Sequence, residues 1–445
     1  MTEITMHVGF DDTDSARRGC TTYVAALLVE ILERLGVRLI DYPNLVRLNP
    51  NVPWKTRGNG ALCLRIRYDQ NLERKVKEIV TSTVEQLSDL ESRGTEPGIV
   101  FLRGARIPKE IQAFAERTIS HVVSLKDALK LLKKYEAEAV GFKNGRGMIG
   151  SLAAVGQTLR GDHTYELIAY RRPEYYGSRR KVDEASIFKM DEATAPYTFN
   201  NVDSEKKRVI ITPRGPDPIL FGIRGENPEI LRRAFAMVRA YEPIERWVIF
   251  RTNQGTDAHL RKLAKLSQAE PYESIIAKGI VSRNPIVIPR RHVIFAIKDS
   301  SLQVDCAAYE PTGILRRSAA ELLIGDRLEA YGAVRPSTFN RPLTINLEKI
   351  RVLSLTGKVL HQNPLCTKCG KRLKSMGRNK GFRCEKCGLR YRELTKIETI
   401  VKRELKRGLY LTATRSQRHL TKPLRRYGME KRRVQVEQPK GKWHS

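Results

Sequence analysis

The chain has 445 residues, which is enough for several domains and a sizeable buried core. Its seven cysteines are an odd number and four of them form two Cys-x-x-Cys pairs, which argues against a secreted disulfide scaffold and favours a reducing cytoplasm. No apolar run reaches membrane-spanning length and the N-terminus has no signal-peptide pattern, so we expect a cytoplasmic protein without a membrane anchor.

The charge of the chain is strongly positive and unevenly distributed. The formal net charge is +32, and residues 356–445 alone hold 26 basic and 6 acidic side chains. Such a field attracts a polyanion, and nucleic acid is the polyanion that it favours. The alternative, a basic surface that only keeps the protein soluble, does not call for so one-sided a segment.

The first predicted elements are a short strand over residues 6–10, an acidic loop, and an amphipathic helix over residues 23–35. The loop carries three carboxylates, Asp11, Asp12 and Asp14. Thr21 or Thr22 is a natural N-cap for the helix, whose unpaired N–H groups suit a phosphate. This combination predicts magnesium–nucleotide chemistry, because Mg²⁺ is usually held by one or two carboxylates and the substrate's phosphates. An equal alternative is that the acids only favour the helix dipole.

A basic, glycine-containing loop over residues 54–60 precedes a predicted strand over residues 61–67. Its cations and N–H groups suit phosphates, and the residues concerned are Lys55, Arg57, Gly58 and Gly60. A plain tight turn explains the same pattern equally well.

A second basic loop, over residues 141–150, has the spacing Gly-x-Gly-x-x-Gly and opens a helix over residues 151–155. A dinucleotide-binding fold requires a strand before such a loop, whereas the preceding segment is predicted to be helical, which excludes that fold. Lys143 and Arg146 could hold a phosphate there, and close helix packing by the glycines is an equal alternative.

Residues 1–185 are predicted to form one α/β domain and residues 186–270 a smaller ferredoxin-like α+β domain. Further helices of the first domain are predicted over residues 71–90, 108–119 and 125–135, with strands over residues 99–102 and 165–170. The second domain is predicted to contain strands over residues 208–212, 219–223 and 247–251 and a helix over residues 228–238. No set of chemically active residues stands out in the second domain.

Residues 271–356 predict an OB-fold. Gly279 and Gly332 stand where strands of such a barrel must bend. The predicted strands cover residues 274–281, 292–298, 302–309, 327–334 and 344–355, and a helix over residues 313–323 separates the third from the fourth. OB-folds commonly bind single-stranded nucleic acid or an exposed RNA surface.

The most specific motif lies in residues 357–395, where two Cys-x-x-Cys-Gly knuckles occur with fourteen residues between the second and the third cysteine. They supply Cys366, Cys369, Cys384 and Cys387. Four thiolates complete a tetrahedron around zinc and leave no open coordination position, so the spacing predicts a structural zinc ribbon that acts as a binding module. Redox-active dithiols are the minor alternative.

Basic side chains of the ribbon and of the extension over residues 396–445 are the predicted RNA contacts: Lys371, Arg372, Arg378, Lys380, Arg383, Arg415 and Arg418. Phe382 could equally well stack on a base or belong to the ribbon's core. A helix is predicted over residues 396–406, an RNA-contacting segment over residues 415–426, and disorder over residues 428–445.

The ordered set of motifs resembles one family. The chain carries, in this order, Gly-Phe-Asp-Asp-Thr-Asp-Ser, Cys-Thr-Thr, Arg-Leu-Asn-Pro, Lys-Thr-Arg-Gly-Asn-Gly, Gly-Arg-Gly-Met-Ile-Gly, Phe-Gly-Ile-Arg-Gly-Glu and the four-cysteine ribbon. Together these motifs resemble the archaeal tRNA(Ile) 2-agmatinylcytidine synthetases, the TiaS family, over almost the whole chain.

The resemblance implies an ATP-dependent ligase that attaches agmatine to C2 of the wobble cytidine in an isoleucine tRNA with a CAU anticodon. It also implies a kinase-like N-terminal domain in which Thr21 accepts a phosphoryl group. We assign Thr13 and Thr22 to the nucleotide site. ATP, magnesium and zinc are the expected cofactors, the tRNA and agmatine are the expected partners, and no obligatory protein partner is implied.

The chemistry agrees with these residues. The C2 oxygen of cytosine is a poor leaving group, and phosphorylation by Mg-ATP would activate it. The three aspartates would hold Mg²⁺, while Lys55 and Arg57 would neutralise developing charge. A further carboxylate should pair with the guanidinium of agmatine, and the sequence leaves its identity open. The alternative function is a non-catalytic tRNA or single-strand-binding factor, which needs neither three acids nor a helix-start threonine in one loop.

Overall fold

The computed structural model describes residues 2–339, 341–432, 434 and 438–445. A ten-stranded sheet, a closed barrel and a small cysteine-containing ribbon follow one another along the chain, after which the chain returns to the barrel and the sheet. Within the described part of the chain, no helix combines the length and the apolar character needed to cross a membrane.

Six strands make up the first half of the large sheet, and helices cover both of its faces. The strands are β1 (Glu3–Asp11), β2 (Arg38–Leu39), β3 (Asn44–Arg47), β4 (Gly60–Asp69), β5 (Gly98–Arg103) and β6 (Glu138–Gly141). The helices are α1 (Thr21–Arg34), α2 (Glu73–Leu87), α3 (Lys109–Ser120), α4 (Leu125–Lys134) and α5 (Gly147–Gly156). Apolar side chains of α1 and α2 pack on one face, and those of α3, α4 and α5 pack on the other.

The second half of the sheet continues without a break across the predicted boundary at residue 185. Its elements are β7 (Thr164–Arg171), α6 (Glu184–Thr194), β8 (Thr198–Phe199), β11 (Ile219–Gly225), α7 (Pro228–Met237) and β12 (Ile244–Thr252). The strand order is β6-β5-β1-β4-β3-β12-β7-β11-β8, with β2 beside β4. Only β12 and β3 run parallel, and they pair at just two positions, so this short parallel pair joins two antiparallel halves.

Two details of the predicted second domain differ from the structure. The strand predicted over residues 208–212 is only β10 (Arg208–Val209), which pairs with β9 (Val202–Asp203) outside the large sheet. The helix α6 did not emerge from the sequence because its apolar side chains have weak helical periodicity.

Close contact between α5 and the sheet explains the glycines of the second basic loop. A Cβ atom on Gly98 would lie 2.2 Å from the backbone nitrogen of Met148, and one on Gly150 would lie 1.8 Å from a carboxylate oxygen of Asp11. The glycines therefore let the start of α5 lie directly against β5 and the end of β1. A strand, β6, precedes this loop, so the prediction of a preceding helix is wrong; because β6 is antiparallel to β5, a dinucleotide-binding βαβ unit is still absent from these residues.

The barrel contains all five predicted strands and the predicted helix. They are β14 (Ser274–Ile288), β15 (His292–Lys298), β16 (Gln303–Ala308), α8 (Ile314–Ala320), β17 (Arg327–Arg335) and β18 (Thr344–Ser354). The strand order is β14-β15-β16-β18-β17, and pairing of β17 with β14 closes the barrel around its own apolar core. The short strand β13 (Leu260–Lys262) extends it beside β14.

The ribbon is attached to the barrel through a two-stranded stalk. The stalk consists of β19 (Lys358–Gln362) and β23 (Ile397–Val401), and the ribbon itself contains β20 (Lys374–Ser375), β21 (Phe382–Arg383) and β22 (Arg390–Tyr391). The helix predicted over residues 396–406 is thus wrong. The β-branched residues Ile397, Thr399 and Val401 favour a strand, which pairs with β19.

The segment after β24 (Gly408–Leu411) does not extend into solvent as an RNA-contacting arm. Residues 412–431, which we call the C-terminal strap, cross from the barrel to the junction of the two sheet halves. The backbone N–H groups of Gly255 and Asp257 donate to strap carbonyls over 2.8 Å. The Arg426 side chain is fully buried and pairs with Glu226 and Asp162, so its charge stabilises the fold and is not accessible to RNA.

Disorder predicted over residues 428–445 is also wrong for the described end of the chain; residues 433 and 435–437 of that segment lie outside the described residues. Trp443 is 7% exposed and packs edge-on against Tyr42. Its carbonyl accepts from the N–H of Ile249 over 2.9 Å, beside the short parallel pair of β3 and β12. The chain end therefore covers the edge of β12 that β3 leaves unpaired.

Replacing Trp443 with Ala should lower the free energy of unfolding by about 3 kcal/mol, because the indole fills the apolar core of the sheet. Trp54→Ala is the matched control, since that ring is 49% exposed and its loss should change stability by less than about 0.5 kcal/mol. Urea unfolding of both variants measures the difference. Equal stability of the two variants would show that the chain end contributes nothing to the folded core.

Candidate active site

A cavity of about 400 Å³ lies at the junction of the two sheet halves and brings most of the predicted site residues together. Its lining includes Asp11, Asp12, Asp14, Thr21, Thr22, Lys55, Arg57, Gly58, Gly60 and Arg146. Two predicted residues lie elsewhere. Thr13, which belongs to the acidic loop, is fully buried. The Lys143 ammonium donates to the carbonyl of Ser92 over 2.6 Å.

Arginines from two other loops form ion pairs with the acidic loop. Asp12 adopts a left-handed backbone conformation with φ of 62°, and its carboxylate accepts from Arg146 over 2.6 Å. The Asp14 carboxylate lies 3.0 Å from Nε of Arg57. Among the residues that the structure describes, Asp11 has no ion-pair partner. The Asp11 carboxylate is therefore held by no direct salt bridge, although the charge of Arg146 acts on it from a greater distance.

Burial raises the pKa of all three aspartates. The pKa of Asp11 lies well above its usual value because of burial and the nearby Asp12 carboxylate. Burial raises the pKa of Asp12 to about 6 although Arg146 opposes the shift, and it also raises the pKa of Asp14. Ionisation of these buried carboxyl groups is costly in the isolated protein. It becomes favourable once a cation lies beside them.

The helix start differs from the prediction in one respect. Cys20 is the N-cap residue, and Thr21 and Thr22 are the first two residues of α1, so neither threonine is the cap. The hydroxyl of Thr13 donates to that of Thr21 over 3.0 Å, and Thr22 lies 3.1 Å from the Cys20 sulfur. The Thr21 hydroxyl is thereby oriented within the cavity lining beside the acidic loop.

Arg57 serves the structure of the acidic loop more than it serves an open phosphate site. Its guanidinium donates to the carbonyls of Ser15 and Gly19, each over 2.9 Å. It also pairs with Asp14 and with Asp217, the latter over 3.1 Å. The basic loop thus fixes the shape of the acidic loop, which sequence spacing alone could not reveal.

The sequence did not reveal a second polar cluster around Glu166 in the lining of the cavity. Glu166 lies 3.0 Å from Nε of Arg224 and 3.6 Å from Nη2 of Arg47, and it also accepts from Gln254. These cations hold the pKa of the buried Glu166 carboxyl below its usual value despite desolvation. Arg47 lies in the Arg-Leu-Asn-Pro motif and Arg224 in the Phe-Gly-Ile-Arg-Gly-Glu motif, but neither motif indicated that the two side chains meet. Glu166 and Gln254 lie in no motif of the sequence.

His419 reaches the same cluster from the C-terminal strap. Its Nδ1 lies 3.1 Å from Nη2 of Arg224 and 2.9 Å from Oε1 of Gln254. Burial and the neighbouring Arg47 hold the pKa of His419 well below its usual value, so the imidazole is neutral. A Cβ atom on Gly58 would lie 2.8 Å from Nε2 of this ring, so the glycine lets the basic loop pack on the imidazole.

The remaining predicted RNA contacts of the extension are already engaged within the protein. Arg415 is 12% exposed and pairs with Asp203 and Glu205 over 2.9 and 2.8 Å. Arg418 is 36% exposed and donates to Asn51. Arg415 therefore anchors the strap, whereas Arg418 keeps part of its guanidinium at the surface.

The four predicted zinc ligands converge on one point. One sulfur from each of Cys366, Cys369, Cys384 and Cys387 lies within 4.8 Å of the other three. Among the described residues, they form the only group of three or more potential ligands this compact; the three aspartates do not form one. Phe382 is 6% exposed and belongs to the ribbon's core, so it does not present its ring to a base.

The predicted RNA-binding side chains of the ribbon all point outward. Lys371 lies 3.9 Å from Glu385, and Arg372 donates to the carbonyl of Asn363. Arg378, Lys380 and Arg383 are exposed and have no ion pair or hydrogen bond through their side chains among the residues that the structure describes. These three cations are free to contact an external polyanion.

Sequence profiles of one family match most of the chain. The profile described as the TiaS TCKD domain matches residues 7–144, that of the TiaS FLD domain matches residues 145–259, and that of the TiaS C-terminal zinc ribbon domain matches residues 363–405. The TiaS profiles thus divide the large sheet immediately before the Arg146 loop.

Two similar relatives are archaeal proteins named as the isoleucine-tRNA 2-agmatinylcytidine synthetase TiaS. That of Methanocaldococcus jannaschii is 41% identical over 429 residues, which cover 95% of this chain and 98% of the relative. That of Archaeoglobus fulgidus is 41% identical over 427 residues, which cover 96% and 99%.

Solved structures show the same overall fold. A crystal structure of TiaS in complex with its isoleucine tRNA and ATP is 40% identical with a TM-score of 0.85, and the match covers 95% of this chain and 97% of the other. A crystal structure of TiaS with the same tRNA, AMPCPP and agmatine is 38% identical with a TM-score of 0.84 and the same coverage.

Proposed function

Because the chain belongs to the TiaS family, we propose that it is an ATP-dependent ligase that attaches agmatine to C2 of the wobble cytidine in the isoleucine tRNA with a CAU anticodon. The modified base pairs with A, so the tRNA reads AUA codons. The observation that carries this proposal is the cavity, which gathers carboxylates, a helix-start hydroxyl and basic side chains at the junction of the sheet halves. A non-catalytic tRNA-binding factor would not need this arrangement.

The bond exchange requires activation of the base. Transfer of the terminal phosphoryl group of ATP to the C2 oxygen turns that oxygen into part of a phosphate leaving group. The amine of agmatine then forms the new C2–N bond, and phosphate departs with the oxygen while the amine gives up its protons. Five carboxylates line the cavity and can hold cationic reactants, namely Asp11, Asp12, Asp14, Glu166 and Asp217.

The residues of the acidic loop fit a magnesium ion. Asp11 is a buried carboxylate without a direct ion pair among the described residues, and Asp12 lies beside it with a raised pKa. One or two carboxylates suffice because phosphates supply the remaining ligands of Mg²⁺, which when bound neutralises and orients the triphosphate. Arg146 and Arg57 hold Asp12 and Asp14 in place. Thr21, whose hydroxyl is oriented by Thr13, is the proposed acceptor of a second phosphoryl group from the nucleotide, in a step separate from the activation of the C2 oxygen.

Magnesium and ATP should raise the melting temperature more near neutral pH than in weak acid. The folded pKa of Asp12 is about 6, above its ordinary value. Protonation therefore stabilises the metal-free fold below about pH 4, and this contribution is lost as the pH rises through about 6. The stabilisation that a bound cation provides has the opposite pH dependence, because the cation binds the ionised carboxylate. We expect the rise in Tm at about pH 7.5 to be at least about twice that at about pH 5.

Thermal melts with and without Mg-ATP measure this difference, and Asp12→Asn is the variant in which it should largely disappear. An equal rise in Tm at both pH values in the wild-type protein would contradict a role for this carboxylate in binding the cation.

His419 should act by positioning Arg224, so the chemistry of its replacement should matter more than its size. His419→Asn places an oxygen near the position of Nδ1, whereas His419→Gln places its amide near Nε2. We expect Asn to retain most of kcat, and Gln and Ala to lose about tenfold or more. The pH profile should be the same for wild type and Asn because the imidazole is neutral. Equal activity of the Asn and Gln variants would contradict this role.

The modules after the sheet are proposed to hold the tRNA. The strand order of the barrel and the position of α8 support its assignment as an OB-fold. Exposed cations of the ribbon supply phosphate contacts. We retain the ranges 1–185, 186–270, 271–356, 357–395 and 396–445 as proposed functional units, the first kinase-like and the second ferredoxin-like. The cytoplasm, where tRNA is modified in an archaeal cell, is the proposed location.

Labelled agmatine tests the proposed function. The chain should transfer label to the isoleucine tRNA with the CAU anticodon only when ATP is present. The matched control is the same tRNA with uridine in place of the wobble cytidine, which should receive no label. Binding of the tRNA without ATP-dependent transfer of label would instead identify a non-catalytic binding factor.

A further inference from the structure

The mouth of the cavity carries one large aromatic side chain that no described contact explains. Trp54 lines the cavity and is 49% exposed. Its ring has no aromatic or cationic partner and its indole N–H has no hydrogen-bond acceptor among the residues that the structure describes. A single exposed apolar side chain is ordinary on a protein surface, but this one lies at the entrance to a polar cavity.

The surroundings of Trp54 favour a ligand with a flat face and an attached phosphate. No other Phe, Tyr or Trp is found among the lining residues that the structure describes. Val52 and Val122 contribute apolar surface to the same lining. Lys55 follows Trp54 directly in the chain, and Arg57 lies two residues further on. An aromatic face beside cations is the arrangement by which proteins bind nucleobases without reading their edges.

We propose that Trp54 is a stacking platform for a nucleobase at the mouth of the cavity. This inference rests on the proposed function, since that reaction brings two kinds of nucleobase to the site, the adenine of ATP and a base of the RNA. Stacking on the indole would fix the plane of the base while the phosphate lies toward the basic loop. The residue binds substrate and takes no part in proton transfer.

Tryptophan fluorescence can identify which nucleobase stacks on the ring. The chain has three tryptophans, and the other two, Trp247 and Trp443, are 8% and 7% exposed and lie outside the cavity lining. Quenching on ligand addition should therefore come from Trp54. The probes are AMPCPP with Mg²⁺, an anticodon stem-loop RNA with the sequence CAU, and tripolyphosphate with Mg²⁺ as the control that has no base.

We expect AMPCPP or the stem-loop to quench the emission, tripolyphosphate to leave it unchanged, and the quenching to vanish in Trp54→Phe. The affinity for the quenching ligand, measured by calorimetry, should fall about five- to one-hundredfold in Trp54→Ala and stay within about threefold in Trp54→Phe. Quenching by tripolyphosphate equal to that by AMPCPP would overturn the proposal, because it would show an effect of charge alone. Unchanged affinity of Trp54→Ala for both base-containing ligands would overturn it too.

Failure of this inference is distinguishable from failure of the proposed function. If Trp54→Ala binds both ligands normally while wild-type protein transfers agmatine, only the stacking role is wrong. If wild-type protein shows base-dependent quenching but transfers no agmatine, the stacking role stands and the proposed reaction is wrong.

Discussion

Asp12→Asn should reduce agmatine transfer at least about 100-fold while the affinity for tRNA stays within about twofold. Asn is the informative replacement because Asp12 has φ of 62°, a conformation that Asn tolerates and Ala does not. The amide keeps an oxygen that can accept from Arg146 and from the N–H of Glu96, so the variant removes mainly the charge. The loss should therefore appear in kcat, through poor placement of the triphosphate.

Asp127→Asn is the matched control, since this carboxylate lies on α4, is 42% exposed, forms an ion pair with Arg117 and is not part of the cavity lining. It should transfer agmatine at the wild-type rate. Single-turnover assays with saturating tRNA separate the chemical step from binding. Wild-type kcat in Asp12→Asn would show that the acidic loop only shapes the start of α1 and does not serve the reaction.

Replacing Cys384 with Ser should release the zinc and unfold the ribbon, because its small core consists largely of the metal ligands, Leu373 and Phe382. The affinity for tRNA should fall, and the slope of log K against log salt should decrease by about 2 to 3 if the contacts of Arg378, Lys380 and Arg383 are lost. Binding of ATP should persist, because the cavity is built from the sheet and the strap.

Lys386→Ala is the control for the zinc prediction, since it removes one exposed cation between Cys384 and Cys387 but no ligand. It should retain about one zinc per chain after stringent purification. The prediction would be contradicted by a wild-type protein with far less zinc, or by a Cys384→Ser variant with an unchanged salt dependence.

Local patterns in the sequence predicted the parts of the site that lie close together in the chain. The alternation before Asp11, the helical spacing after Thr21 and the cysteine knuckles each depend on neighbours within a few residues. These patterns correctly gave the strand and the helix, and the four cysteines of the predicted zinc site do converge. The five barrel strands were predicted for the same reason.

The polar cluster around Glu166 could not be predicted because chain segments far apart in sequence form it. Arg47, Glu166 and His419 come from β3, β7 and the strap, and no local pattern marks them as neighbours. The basic character of the strap predicted contacts with RNA, yet Arg426 pairs with acids of the sheet. A charged residue in a sequence needs a partner of opposite charge. The sequence does not show whether that partner belongs to the same chain or to another molecule.

The mass of the nucleosides in the treated tRNA tests the central claim most directly. The isoleucine tRNA is incubated with the protein, ATP and agmatine, digested to nucleosides and analysed by mass spectrometry. We predict a single new nucleoside whose mass equals cytidine plus agmatine minus one water, located at the wobble position. Unmodified cytidine at that position, in a reaction where the protein binds both tRNA and ATP, would contradict the claim.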